Sequence, residues 1–316
     1  MSISRVSTAQ LNKAFSSQLS NTQSKFNKLA EQIGSGVSVS SMSDDPVAAG
    51  SIIKVNKQMG DIETYLANIE SSDNELSQVD STLASINSQL SKAHDLAMQV
   101  SNGTMGSNEL KAYQSELDSI IDNVTKLANT NYNGKYLFSG TRTTTSPYNK
   151  NEDGLIYNGN DESRSALIGD NKIKEISYTG KNIFGEASFT TDESGKITVD
   201  TSASSGAFGA LYQLKAAIQD PENIDTDAVS SAMGGLSSSM DTVIGVKTRA
   251  GAVSESLEDM KNVYANDSLR LEELRSNLQD TDLPSAISNW YSVYQSMQAS
   301  YSMMSQTMGV SLLNFI

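Results

Sequence analysis

The last segment of the chain, LPSAISNWYSVYQSMQASYSMMSQTMGVSLLNFI (Leu283 to Ile316), contains no Lys, Arg, Asp or Glu. Ser, Gln and Asn interrupt it too often for a membrane span, which needs about 20 mostly apolar residues. Its larger apolar residues instead recur at alternating spacings of three and four, which predicts a coiled-coil helix. This stripe comprises Ile287, Trp290, Tyr294, Met297, Tyr301, Met304 and Met308, and we extend it to Leu312, Leu313 and Phe315.

The N-terminal segment carries a matching stripe. Phe15, Leu19, Thr22, Phe26, Leu29 and Ile33 alternate in steps of four and three, and Gly34 and Gly36 follow as a helix end. An apolar stripe at helical spacing usually belongs to an ordinary core. Because both terminal helices carry one and the chain supplies no other partners for them, we expect the stripes to be buried between molecules. Methionine, which is flexible and polarizable, suits such an interface.

Between the termini the chain alternates long helical segments with one β-rich region. The loop VSVSSMSDDPVAAG predicts Asp45 as a helix N-cap and Pro46 as the first helical residue. A very long helix follows, broken by NGTMGS (102–107), and then a third helix ends near Asn131. After the β-rich run, in which TTDESGKITVD is typical of a hairpin, two helical segments with an irregularity at Gly234-Gly235 precede a long helix from Val253 to Leu278.

This order predicts a mainly α fold, a nested antiparallel coiled-coil bundle of long helices from both chain halves, with a small β-rich inserted domain. We expect a terminal assembly domain (1–45 and 282–316), a helical core domain (46–139 and 206–281) and a β-rich outer domain (140–205).

Composition excludes most chemistry. The net charge of −14 argues against nucleic acid, whose phosphates require clustered Lys and Arg. Without cysteine there is no thiol catalysis or disulfide, and the single histidine, His94, provides neither a catalytic triad nor a metal cluster. Asn149, Asn151 and Asp153 match the start of a calcium loop, but Asn160 stands where a bidentate Glu is required. We predict no enzyme activity, no metal and no cofactor.

Four motifs resemble the flagellin superfamily and occur in the order found there. They are SGVSVSSMSDDPVAAG (35–50), GKYLFSGTRTTTSPY (134–148), KTRAGAVSESLEDM (247–260) and SLLNFI (311–316). The loop motif Asp44, Asp45 and Pro46, within DDPVAA, is similar to the hook–filament junction branch, whereas flagellins resemble DDAAG. GSGVSVSSM lacks the basic residue that the family commonly has there.

The resemblance implies a structural subunit that joins hook-associated protein 1 to the flagellin filament as a ring of its own copies. It further implies export through the flagellar type III apparatus with a chaperone, to an extracellular position on the flagellum. The N-terminus, MSISRVSTAQLNKAF, has no pattern of a cleaved secretory signal, in keeping with this route. No membrane insertion is expected. Two alternatives are a flagellin filament subunit and a binding module whose insertion recognises a glycan or host surface.

Overall fold

The computed structural model describes residues 3–102, 106–151, 154–193, 196–220 and 224–313. It divides into two compact units, one formed by 1–61 with 266–316 and the other by 62–265. The protein is 69% helical, its long helices pack against one another, and small antiparallel sheets occupy the inserted region. The predicted mainly α fold is confirmed, while the three-domain division stays a prediction.

The described residues contain seven helices and eight strands. The helices are α1 (Ile3–Ser35), α2 (Pro46–Ser101), α3 (Ser107–Ala128), α4 (Gly180–Phe184), α5 (Gly206–Ala217), α6 (Thr226–Gln279) and α7 (Leu283–Leu313). The strands are β1 (Asn131–Tyr132), β2 (Lys135–Tyr136), β3 (Tyr148–Asn151), β4 (Gly154–Tyr157), β5 (Ser165–Gly169), β6 (Lys172–Glu175), β7 (Ala187–Thr191) and β8 (Ile197–Val199).

The sequence interpretation of α6 was wrong in one respect. It separated a segment ending near Val246 from a helix starting near Val253, with an irregularity at Gly234-Gly235, but α6 is one unbroken helix. The second of these glycines has a packing role instead. A Cβ added at Gly235 would lie 2.9 Å from the Cβ of Ala210 on α5, so glycine lets the two helices approach closely.

In the second unit, α2 and α6 run antiparallel. Ser254 donates a hydrogen bond to Asp73, and Lys247 Nζ lies 3.7 Å from Asp80 Oδ2. From the first pair to the second, the residue number increases along α2 and decreases along α6, so the two helices are antiparallel. This is the antiparallel pairing of chain halves that the sequence predicts. Asp73 therefore has a hydrogen-bond partner across the helix pair.

The β-rich insertion shares its core with the helices. One hydrophobic cluster includes Leu117 of α3, Phe208 of α5 and Tyr148 of β3, all almost completely buried. The ring of Tyr148 lies 4.7 Å from that of Phe208, and its hydroxyl donates to the carbonyl of Gly185 at 2.9 Å. The ring contact with Phe208 packs the insertion on α5, while the bond to Gly185 gives the buried phenol its hydrogen-bond partner within the insertion.

The largest sheet has the antiparallel order β3-β4-β7-β8, and β1-β2 and β5-β6 form separate two-stranded sheets. The hairpin predicted for TTDESGKITVD is confirmed, with Thr191 of β7 opposite Ile197 of β8. Gly154 begins β4 with φ 142°, and a Cβ there would lie 2.1 Å from the carbonyl oxygen of Ala187. Only glycine fits this close approach of two strands.

In the first unit, α1 packs antiparallel on α7. The residues that follow α1 are hydrogen-bonded to the end of α6 and to the turn before α7. The N–H of Ser38 donates to the carbonyl of Gln279 at 2.7 Å, and the N–H of Thr281 donates to the carbonyl of Gly36 at 2.9 Å. Gly36 has φ 74°, a conformation that ends α1 as the sequence predicts.

Candidate assembly surface

The predicted stripe on α1 lies along one face of the helix. Phe15, Leu19, Phe26, Leu29 and Ile33 are all half-buried, and Thr22 among them is 8% exposed. No large hydrophobic side chain of the described part of α1 is exposed. The apolar side of α1 is therefore used within the chain, and the rest of its described surface is polar.

The predicted stripe on α7 divides into two rows. Trp290, Met297 and Met304 are half-buried and continue a row that includes buried Ala286 and half-buried Val293. Three further predicted residues are partly exposed: Ile287 at 41%, Tyr294 at 37% and Tyr301 at 50%. They belong to what we call the exposed α7 stripe, made up of Leu283, Ile287, Tyr291, Tyr294 and Tyr301.

Leu283 and Tyr291 were missed by the sequence analysis. Both are exposed large hydrophobic residues, at 42% and 57%. The spacing of four from Leu283 to Ile287 and from Ile287 to Tyr291 was the available signal, since residues four apart lie on the same helix face.

Three aromatic rings join α1 to α7. The ring of Phe26 lies 5.0 Å from Trp290 and 6.1 Å from Tyr294, and the Trp290 and Tyr294 rings stack at 5.8 Å. The indole N–H of Trp290 is buried and has no hydrogen-bond partner among the described residues. Trp290 therefore contributes to this helix pair through ring packing.

The last predicted residues cannot be placed in either row. Met308, Leu312 and Leu313 lie within α7, but their side chains fall outside the described part of the structure. Phe315 lies outside the described residues altogether. Their role in assembly stays a prediction.

The loop motif organises the start of α2. Asp44 Oδ2 accepts hydrogen bonds from the backbone N–H groups of Ser40 at 3.2 Å and Ser41 at 2.9 Å, and from both hydroxyls. Lys28 Nζ lies 2.9 Å from Asp44 Oδ1. This ammonium, with the serine donors, holds the pKa of Asp44 well below its usual range. Lys28 of α1 thus places a positive charge beside this loop, whose GSGVSVSSM segment contains no basic residue.

Asp45 caps α2 as predicted. Its Oδ1 accepts from the backbone N–H of Val47 at 2.9 Å and of Ala48 at 3.0 Å, and Pro46 is the first residue of the helix. These bonds satisfy donors that have no partner within the helix.

Charge is distributed unequally between the two units. The second unit, 62–265, contains 15 Lys and Arg against 28 Asp and Glu, whereas the first contains 8 against 9. α7 has no charged residue at all. Copies of this chain would therefore repel most strongly at the second unit and least at α7.

The described residues show no grouping of three or more His, Cys, Asp or Glu side chains suited to a metal ion. None of the described helices combines the length and apolarity needed to cross a membrane. The first unit presents the exposed α7 stripe on a helix without charged residues, and such a surface is suited to contact with another protein.

Comparison with known proteins identifies the class of protein in which these features occur. Residues 6–143 match the family model described as the bacterial flagellin N-terminal helical region. The resemblance to the flagellin superfamily is therefore confirmed.

Within that superfamily, the resemblance is to flagellar hook-associated protein 3. The protein of that name from Salmonella typhimurium is 25% identical over 316 residues, covering 98% of each chain. A flagellin from Listeria innocua is 23% identical and covers 87% of this chain and 86% of its own. The solved structure of a putative flagellar hook-associated protein from Vibrio parahaemolyticus has the same fold, with a TM-score of 0.65 at 22% identity, over 75% of this chain and all of the other.

Proposed function

We propose that this protein is a structural subunit of the bacterial flagellum that joins hook-associated protein 1 to the flagellin filament. Its similarity to a flagellar hook-associated protein 3 over nearly the full length of both chains supports a structural role in the flagellum. The exposed α7 stripe is the observation that supports assembly through the terminal helices. One apolar row of α7 is already packed against α1, so the stripe is left for contact with another molecule.

The exposed stripe is suited to repeated contacts between copies. Tyr291, Tyr294 and Tyr301 each present a large apolar ring with a polar hydroxyl, a combination favoured at protein interfaces. Because α7 carries no charge, several copies can bring this helix together without like-charge repulsion. In this proposal the copies form a ring whose α7 helices meet one another or the adjoining flagellar proteins.

The remaining parts of the proposal concern export and location. The chain would leave the cell through the flagellar type III apparatus with the help of a chaperone and without cleavage of a signal peptide. It would then be extracellular, between hook-associated protein 1 and flagellin. An uncharged α7 facing the export channel would neither bind nor repel passing unfolded chains according to their charge.

Electron microscopy of seeded assembly tests the proposal against its alternative. The purified protein would be added to short filaments with exposed ends and also incubated alone. A junction subunit adds a finite layer at the ends and forms no long filaments by itself. Long filaments of this chain alone would show a flagellin filament subunit, the alternative that the match to the Listeria flagellin favours.

Tyr301→Asp tests the exposed stripe directly. Tyr301 is half exposed, so the variant should fold normally, but a carboxylate buried at an interface is costly and incorporation into flagella should be lost. Gln295→Asp, also at an exposed position of α7, is the matched control and should still incorporate. If circular dichroism showed global unfolding of Tyr301→Asp, the stripe would belong to the monomer core and the proposal would fail.

A further inference from the structure

A cleft of about 690 Å³ lies within the second unit, between α6 and the β-rich insertion. One wall is the face of α6 that carries Val246, Arg249 and Val253, which are three and four positions apart. The opposite wall belongs to the segment after β6 and includes Ser177 and Ile183. Small-molecule sites in proteins have volumes of about 300–1,000 Å³, so this cleft is large enough to hold a ligand.

Contacts behind the two walls hold the cleft in shape. Ile183 of the insertion and Val246 of α6 are 3% and 2% exposed and belong to one hydrophobic cluster. The side chain of Arg164 donates two hydrogen bonds to Glu75 of α2, and its backbone N–H donates to Ser177 Oγ at 2.6 Å. The cleft is therefore formed by the folded chain itself, as most small-molecule sites are.

Two buried hydroxyl groups line the cleft and accept hydrogen bonds without donating one to a described residue. They belong to Ser177 and Thr179, which are 4% and 5% exposed. Ser177 Oγ accepts from the backbone of Arg164, and Thr179 Oγ1 accepts from Asn182 Nδ2 at 2.9 Å. Because a buried donor without an acceptor is costly, these hydroxyls favour a ligand that offers hydrogen-bond acceptors.

One positive and one negative side chain line the same cleft. Arg249 of α6 and Glu175 of β6 are exposed, and neither forms an ion pair with any residue that the structure describes. Both act on Tyr178 between them: burial raises the pKa of this phenol, Arg249 opposes the rise and Glu175 adds to it. The phenol is therefore a neutral hydrogen-bond donor near pH 7. Because the two charges cancel, a ligand with a net charge of either sign would meet a like charge, and a neutral ligand is favoured.

We propose that this cleft binds a neutral saccharide. Each sugar hydroxyl both donates and accepts hydrogen bonds, so a sugar can accept from the two buried hydroxyls and from Arg249 while it donates to Glu175. The C–H groups of a sugar ring fit against the half-buried side chains of Tyr178 and Val253. This role is additional to the proposed function in assembly and does not rest on it.

Saturation-transfer difference NMR on the purified full chain tests the ligand class. The neutral probes are glucose, galactose, mannose and N-acetylglucosamine. Glucuronic acid, glucosamine and glycine serve as anionic, cationic and zwitterionic comparisons. At least one neutral sugar should bind, and more tightly than the charged compounds. The absence of a signal from every neutral sugar would overturn the proposal, and tighter binding of glycine would show a zwitterion site instead.

A second arm identifies the source of the sugar. A methyl glycoside resembles the end of a polysaccharide chain, whereas the reducing sugar is the free compound. Tighter binding of the glycoside would assign the cleft to a surface polysaccharide, and tighter binding of the reducing sugar would assign it to a free saccharide. Either result supports a neutral saccharide as the ligand.

Arg249→Met tests whether the sugar binds in this cleft. Arg249 is exposed and has no hydrogen-bond or ion-pair partner within the described part of the chain, so the melting temperature should not change. The Kd for the sugar should rise about tenfold, because a hydrogen bond from a charged group contributes at least that factor. Arg142→Met, at another exposed arginine of the second unit, is the matched control and should bind as the unmodified chain does. An unchanged Kd in Arg249→Met, or an equal rise in Arg142→Met, would overturn the proposal.

Discussion

Phe26→Ala tests how strongly the aromatic cluster holds α1 against α7. Truncating a fully buried Phe to Ala costs about 3–5 kcal/mol. Phe26 is half-buried, so the expected loss is about 2 kcal/mol for the α1–α7 pair. The ring contacts at 5.0 Å and 6.1 Å give a similar figure, since each aromatic pair contributes about 0.5–1.5 kcal/mol.

The assay uses Trp290, the only tryptophan of the chain, whose fluorescence reports on the packing of α7. Urea unfolding would be followed by this fluorescence and by far-UV circular dichroism. Phe26→Ala should shift the fluorescence transition to lower urea, while the main dichroism transition, dominated by the core of 62–265, stays in place. Lys25→Ala, at an exposed position of α1, is the control. An unshifted fluorescence transition, or an equal shift in Lys25→Ala, would refute the reasoning.

Three further predictions concern stability. Asp45→Ala removes the N-cap of α2 and should cost about 1 kcal/mol in urea unfolding, whereas Asp45→Asn should retain most of it; equal losses would contradict the capping role. Gly235→Ala should destabilise the protein by about 1–3 kcal/mol, because the added Cβ clashes with Ala210. Gly234→Ala, whose added Cβ meets nothing within 4 Å, should instead stabilise it by about 0.5–1 kcal/mol. The same urea midpoint for both variants would disprove this difference. Burial raises the pKa of Tyr212 to about 12. Its stabilising effect is complete below the unfolded-state pKa of about 10 and is lost as pH rises toward 12, so Tyr212→Phe should reduce the alkaline loss of stability. An unchanged pH profile would contradict that cause.

Features that depend on neighbouring residues could be predicted from the sequence. The cap of α2 by Asp45, the end of α1 at Gly36 and the β7–β8 hairpin all rest on interactions within a few positions of the chain. The stripe on α1 was also predictable, because its large apolar residues define one row only. Other features required contacts between distant segments: Lys28 reaches Asp44 only after α1 and its loop fold together.

The two rows of α7 show where sequence information ends. The sequence alone determines that α7 is uncharged and has a helical periodicity. It also determines that residues 62–265 have an excess of acidic residues and that the chain has no cysteine. The predicted row through Ile287, Tyr294 and Tyr301 and the buried row through Ala286 and Val293 both alternate in steps of three and four, and they share Trp290 and Met297. Hydrophobicity favours the first row, yet α1 packs against the second, whose smaller side chains let two helices approach more closely. Tertiary structure alone decided this choice, because the direction and position of the partner helix determine which row is buried and which is left for another molecule.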